Sequence, residues 1–204
     1  MRRVTGTGRV APSARPRARA GTLAGFGSPF HLAARFFGAL SPAGPPPEDT
    51  RWAHERLSPG ERELFSRMSG PDRRHAVGVA RESLRLAGED GLAEDELPGG
   101  FVAAGLLHDV GKVESRLGTF GRVAATVLTI VLGRSRVERL GGSGRGPLAE
   151  VARYLAHDRI GARLLEQAGS AELTIRWSRE HHLPASRWQT EPQLASYLKE
   201  ADGD

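Results

Sequence analysis

The chain has 204 residues, 39% hydrophobic and 26% charged, with a formal net charge of +5. It contains no cysteine, which excludes disulfides, thiolate zinc sites, iron–sulfur clusters and a cysteine nucleophile. The longest apolar run, the nine residues Ala124–Leu132, falls well short of the roughly 18–20 that a membrane helix needs.

The positive charge is a property of one end. Residues 1–47 hold seven Arg and no Asp or Glu, leaving 22 basic against 24 acidic residues in the remainder. A nucleic-acid function for the whole chain is therefore not implied. Residues 1–28 are too poor in apolar side chains to offset the entropy of ordering. They read as a disordered tail or upstream extension. A basic arm for nucleic acid or anionic lipid and an organellar-type targeting peptide are the other readings. No compact apolar segment follows the basic start, so no secretory signal is expected, and a cysteine-free chain suits the reducing cytoplasm.

The tail is taken as 1–47, with a possible short helix over 29–40 that "SPAGPPP" breaks, and one helical domain as 48–204. "SPGE" at Ser58–Glu61 predicts a helix start: a Ser cap, Pro at the first helical position and Glu three residues after the cap. That helix is expected to run to Gly70. "PDRRHAVGVARESLRLAG" repeats the device, with apolar residues at helical spacing and Gly88 at its end. "FVAAGLLHD" predicts a third helix, 120–133 a fourth and 147–157 a fifth, with "GGSGRG" at 141–146 as the loop between the last two. "IGARLLEQAG", "AELTIRWSREHH" and "QLASYLKEAD" complete the chain. No alternating strand pattern and no internal repeat are seen. The expected fold is all-α, a bundle of about seven to nine helices.

Seven histidines are present. His31 and His54 lie in uninformative contexts. His75, His108, His157, His181 and His182 fall on different predicted helices or at helix ends, and with Asp109 and Asp202 they form a set of five imidazoles and two carboxylates. Any one of these histidines alone is better explained by a structural or surface role. His108 and Asp109, however, end an apolar helix, where backbone carbonyls also favour a cation, and Gly111 and Lys112 follow at once. Mixed imidazole and carboxylate ligands suit divalent Mn, Fe, Ni, Co or Zn rather than Mg or Ca. Seven candidates exceed the needs of one ion, so two ions are expected. A pair of ions clamps the attacking and leaving oxygens of phosphoryl transfer, and Lys112 supplies a point charge for a phosphate oxygen.

Other motifs fail. The run from Gly105 to Lys112 mimics a phosphate-binding P-loop, but five residues separate its glycines where four are needed, and Val113 replaces the Ser or Thr. "HERLS" at His54 lacks the second histidine of a zinc-protease helix. Arg145 stands where a nucleophile elbow needs its second glycine.

The ordered series "DRRHAVGVAR", "LLHDVGK", "YLAHDRIGARLLEQAG", "REHH" and "LKEAD" resembles the HD superfamily of metal-dependent phosphohydrolases, over about residues 70–203. His108 follows His75 by 33 positions, and Asp202 follows Asp109 by 93. The resemblance implies an all-α fold in which His75, His108, Asp109 and Asp202 hold one metal. It implies that Asp109 bridges to a second ion in the binuclear branch, with His157, His181 and His182 as further ligands, and that Lys112 contacts phosphate. "LPASRW" after the double histidine departs from the cyclic-di-GMP phosphodiesterases, and no RNA-binding domain precedes the core. The expected activity is hydrolysis of a nucleotide or other small phosphate ester, as a monoesterase or diesterase, by a metal-activated water. The alternative is a non-catalytic HD-fold binding or signalling module.

Two further readings stay open. The apolar helix over 120–133 belongs either to the core or to a homodimer contact, leaving monomer and homodimer both possible. Trp177 and Trp188, near the histidine pair, either stack on a nucleobase or belong to the core.

Overall fold

The computed structural model describes residues 43–203 apart from 116, 119, 120, 122–124, 126, 127, 130–132 and 142–145. The basic segment, His31, the 29–40 helix and most of the 120–133 helix lie outside the described residues.

Nine α-helices are described: α1 (Pro47–Glu55), α2 (Pro59–Arg67), α3 (Gly70–Glu89), α4 (Phe101–Leu107), α5 (Arg134–Gly141), α6 (Pro147–Leu155), α7 (His157–Gln167), α8 (Glu172–Glu180) and α9 (Pro192–Asp202). Short 3-10 turns cover Glu94–Glu96, Val110–Glu114 and Ala185–Arg187, and no strand occurs among the described residues. No helix among them is long and apolar enough to cross a membrane.

The capping signals act as read. Ser58 Oγ accepts the Glu61 backbone N–H while Glu61 accepts the Ser58 N–H at 2.9 Å, a closed capping box. Ser69 caps α3 by accepting the Asp72 N–H. That cap explains why α2 stops at Arg67 rather than Gly70: Met68 and Ser69 turn extended to start the next helix. Two helices escape the sequence pattern. α1 opens inside the prolines taken as a breaker, because Pro47 suits a first helical position and Glu48 and Asp49 fill the first turn. α5 is so charged that its only fully buried apolar side chain is Val137, and Leu140 remains exposed.

α3 is the axis of the bundle, with α4 and α9 packed against it, and α8 lies against both α4 and α7. The main core joins Phe65, Val77, Ala80, Leu106, Leu107 and Leu165. A second cluster gathers Phe101, Trp177 and Leu198. A third holds Ala125, Val137, Val151 and Leu155, with Leu128 against it, so these two side chains of the 120–133 segment, Ala125 and Leu128, pack inward.

The closest approach concerns Gly111. A Cβ there would lie 1.9 Å from the His157 carbonyl oxygen and 2.6 Å from the Gly161 nitrogen. Only a residue without a side chain lets the 3-10 turn after α4 lie on the first turn of α7, which brings the Asp109 and His157 segments together. Gly111→Ala should therefore destabilise the fold by about 2–3 kcal/mol or more. Exposed Gly78, in the middle of α3 with open space at its Cβ position, should instead gain up to about 1 kcal/mol on the same change. Urea unfolding of both variants checks the contrast, and equal midpoints would contradict it.

Candidate metal centre

Six of the seven candidate ligands sit at helix ends. His108 follows α4, Asp109 opens the next 3-10 turn, His157 begins α7, His181 and His182 follow α8, and Asp202 ends α9. His75 alone lies within a helix, on the second turn of α3. α4, α8 and α9 thus direct their carbonyl ends at one place, where the helix dipoles favour positive charge. The α9 terminus is sharp because Gly203 adopts the left-handed conformation (φ 70°) and donates to the Lys199 carbonyl at 3.2 Å.

The side chains meet in two adjoining groups. His75, His108 and Asp202 form one, and Asp109, His157, His181 and His182 the other, with the ligand atoms of each group within 4.8 Å of one another. Ring centroids run 5.4 Å from His75 to His108, 5.3 Å on to His181, 5.6 Å on to His157 and 5.0 Å on to His182. Asp109 lies between the groups. Its Oδ2 is 3.4 Å from His108 Nε2, and its Oδ1 is 3.3 Å from His157 Nε2 and 3.7 Å from His181 Nε2.

Backbone carbonyls set the tautomers. His108 Nδ1 donates to Gly105 O at 2.9 Å, His157 Nδ1 to Tyr154 O at 2.6 Å and His181 Nδ1 to Ser178 O at 3.0 Å. A carbonyl only accepts, so Nδ1 carries a proton in each ring and Nε2 is the nitrogen that faces the group, the orienting arrangement found behind metal-bound histidines. His108 Nε2, His181 Nε2 and Asp109 Oδ1 are buried without a hydrogen bond. Such groups are costly to bury unless something else satisfies them. A divalent ion accepting those nitrogen and carboxylate lone pairs fits this donor set. His75 differs: its Nε2–H donates to Asp202 Oδ1 at 2.9 Å.

The charges are unevenly divided. Burial opposes charge on Asp109, but Lys112 and then His108 outweigh it and hold the carboxyl well below its usual range. Burial likewise opposes charge on Asp202, where His108 and His75 prevail. His108 itself is raised to about 10: burial works against its charge, and the carboxylates of Asp109 and Asp202 override it. Burial lowers His181. Partial loss of solvation, then repulsion from His181 and His157, lowers His182.

Lys112 Nζ makes a short ion pair with Asp109 Oδ2. All the candidate ligands and Lys112 are therefore in one neighbourhood. Trp177 is not available to a ligand: it is fully buried, packed 5.8 Å from Trp188, so it cannot stack on a nucleobase. Two supporting residues were not anticipated. Ser178 Oγ donates to the His108 carbonyl at 3.3 Å, tying α8 to the end of α4. Lys199 Nζ donates to the His181 carbonyl at 2.9 Å, tying α9 to the double histidine. Their only signal is position, one turn before His181 and one turn before Asp202. No protein-family model, curated protein or solved structure matches the chain.

The metal-free protein should be most stable near pH 6.5. Below 6.5 the unfolded chain protonates His108, His181 and His182, whereas of these three the folded chain holds a proton only on His108, so acid destabilises. Between 6.5 and about 10 the folded chain keeps a His108 proton that the unfolded chain has lost, so base destabilises as well. Thermal midpoints in chelator across this range check the bell shape, and a midpoint rising steadily to about pH 9 would contradict it.

Proposed function

We propose that this chain is a metal-dependent phosphohydrolase of the HD type, acting in the cytoplasm on a nucleotide or other small phosphate ester. The observation that carries the reading is the convergence of His75, His108, Asp109, His157, His181, His182 and Asp202, scattered over 128 positions of sequence, in two adjoining groups, with Asp109 of one lying 3.4 Å from His108 of the other. His75, His108 and Asp202 would hold one divalent ion (Mn, Fe, Ni, Co or Zn), His157, His181 and His182 a second, with Asp109 serving both. Two such ions supply the charge that activates water and steadies the leaving oxygen in phosphoryl transfer.

The chain's own groups have distinct tasks in this reading. Asp109 presents one oxygen to each group. The carbonyls of Gly105, Tyr154 and Ser178 keep the rings of His108, His157 and His181 aimed inward. His75 and His182 are the members that reach solvent, so the ester approaches past them. Lys112 lies where an ammonium can neutralise charge developing on a phosphoryl oxygen.

Hydrolysis of p-nitrophenyl phosphate, its bis ester and a set of nucleotides with Mn²⁺, alongside metal analysis by mass spectrometry, tests the proposal. Turnover with bound metal is expected. Asp109→Ala should lose metal from both groups and activity by about a thousandfold or more, and retained stoichiometry would sink the shared role. Lys112→Ala should keep its metal and lose about a hundredfold in turnover, and unchanged turnover would remove Lys112 from the reaction. Metal without turnover on any ester would assign the chain to the non-catalytic binding module instead.

A further inference from the structure

We propose that Lys112 is a built-in stand-in for the metal: its ammonium holds the Asp109 oxygen on the His108 side and must be displaced for that side to load. Lys112 thereby sets the affinity and the order of filling. The proposal rests on the metal-centre reading above.

The two oxygens of Asp109 have different company. Oδ1 faces His157 and His181 and accepts no hydrogen bond. Oδ2 faces His108 and is taken by Lys112 Nζ. An ion on the His157, His181 and His182 side can reach Oδ1 without disturbing the lysine, although it must part His157 Nε2 from His182 Nε2, which are hydrogen-bonded at 3.1 Å. The His75, His108 and Asp202 side is closed twice, by Lys112 on Oδ2 and by the His75–Asp202 hydrogen bond. The side chain of Lys112 is only 17% exposed, so this is not a surface pair screened by water. Asp109 is buried, and the Lys112 ammonium is the cation paired with its Oδ2. A divalent ion seated on that oxygen can replace the ammonium without leaving the buried carboxylate uncompensated. The displaced ammonium keeps favourable surroundings: the Tyr154 ring lies 6.0 Å away, and the Asp72 carboxylate acts on it electrostatically. A lysine released in this way becomes available to a phosphate oxygen only once the metal is in place.

A lysine that merely braces the fold would stabilise the metal-free and metal-loaded protein alike. A stand-in stabilises only the metal-free form, so its removal must tighten metal binding. The test is calorimetric titration of chelator-stripped wild type, Lys112→Met and Lys112→Arg with Mn²⁺. Wild type should bind in two phases, with the weaker phase strengthened roughly ten- to hundredfold in Lys112→Met and left near wild type in Lys112→Arg, which keeps the charge. Unchanged or weaker binding in Lys112→Met would overturn the proposal while leaving the metal centre intact. No Mn²⁺ binding by wild type would instead overturn the metal-centre reading itself. Should Lys112→Met fail to fold without metal, it is refolded in excess Mn²⁺. Recovery of the native melting transition supports the stand-in role, and failure to recover contradicts it.

Discussion

The structure turns on the burial of one carboxylate. Asp109 is 4% exposed, and a buried carboxylate is tolerated only with charge and hydrogen bonding around it. Lys112, His108, His157 and His181 supply that surrounding from three separate stretches of chain. The helices must therefore end where they do. α4 stops at Leu107 so that His108 and Asp109 turn inward, the Gly111 turn sits against α7, and α8 stops so that His181 lies beneath the same carboxylate. The apolar clusters on either side fix these endpoints, with Leu106, Leu107 and Leu165 on one flank and Phe101, Trp177 and Leu198 on the other.

The site is assembled at helix ends for a physical reason. Interior helical carbonyls are satisfied within the helix, whereas those of the last turn have no intrahelical partner. The i−3 carbonyl behind each of His108, His157 and His181 takes up the Nδ1 proton. One device thus satisfies a helix terminus and fixes a tautomer. The three aligned carbonyl ends of α4, α8 and α9 add a field that suits cations, whether ammonium, imidazolium or metal. Ser178 and Lys199 bond to the carbonyls of His108 and His181 and so hold the ends of α4 and α8 in place.

Much of this was legible in the sequence. The Ser58 capping box, the prolines at helix starts and the apolar spacings marked α2, α3, α4, α6, α7, α8 and α9, and the spaced histidines and aspartates named the residues that meet. What was hidden lies where local pattern and tertiary context part. α1 begins within a proline run, and α5 offers a single buried apolar side chain, Val137, among its described residues. The pair formed by Lys112 and Asp109 was open to view at a spacing of three, yet a lysine after a histidine–aspartate pair suggests a substrate contact before it suggests a counter-ion. Trp177 could be placed near the histidines by helical spacing, but only packing reveals that it faces the core. Ser178 and Lys199 act through hydrogen bonds to backbone, which leave no compositional trace.

The central claim is that these seven side chains hold two divalent ions, one on each side of Asp109. X-ray diffraction from crystals grown with Mn²⁺, collected above and below the manganese absorption edge, locates the ions directly. The account predicts two anomalous peaks, one among His75, His108 and Asp202 and one among His157, His181 and His182, with Asp109 touching both. Absence of any peak within this group of residues, in crystals whose solution contains saturating Mn²⁺, would contradict it.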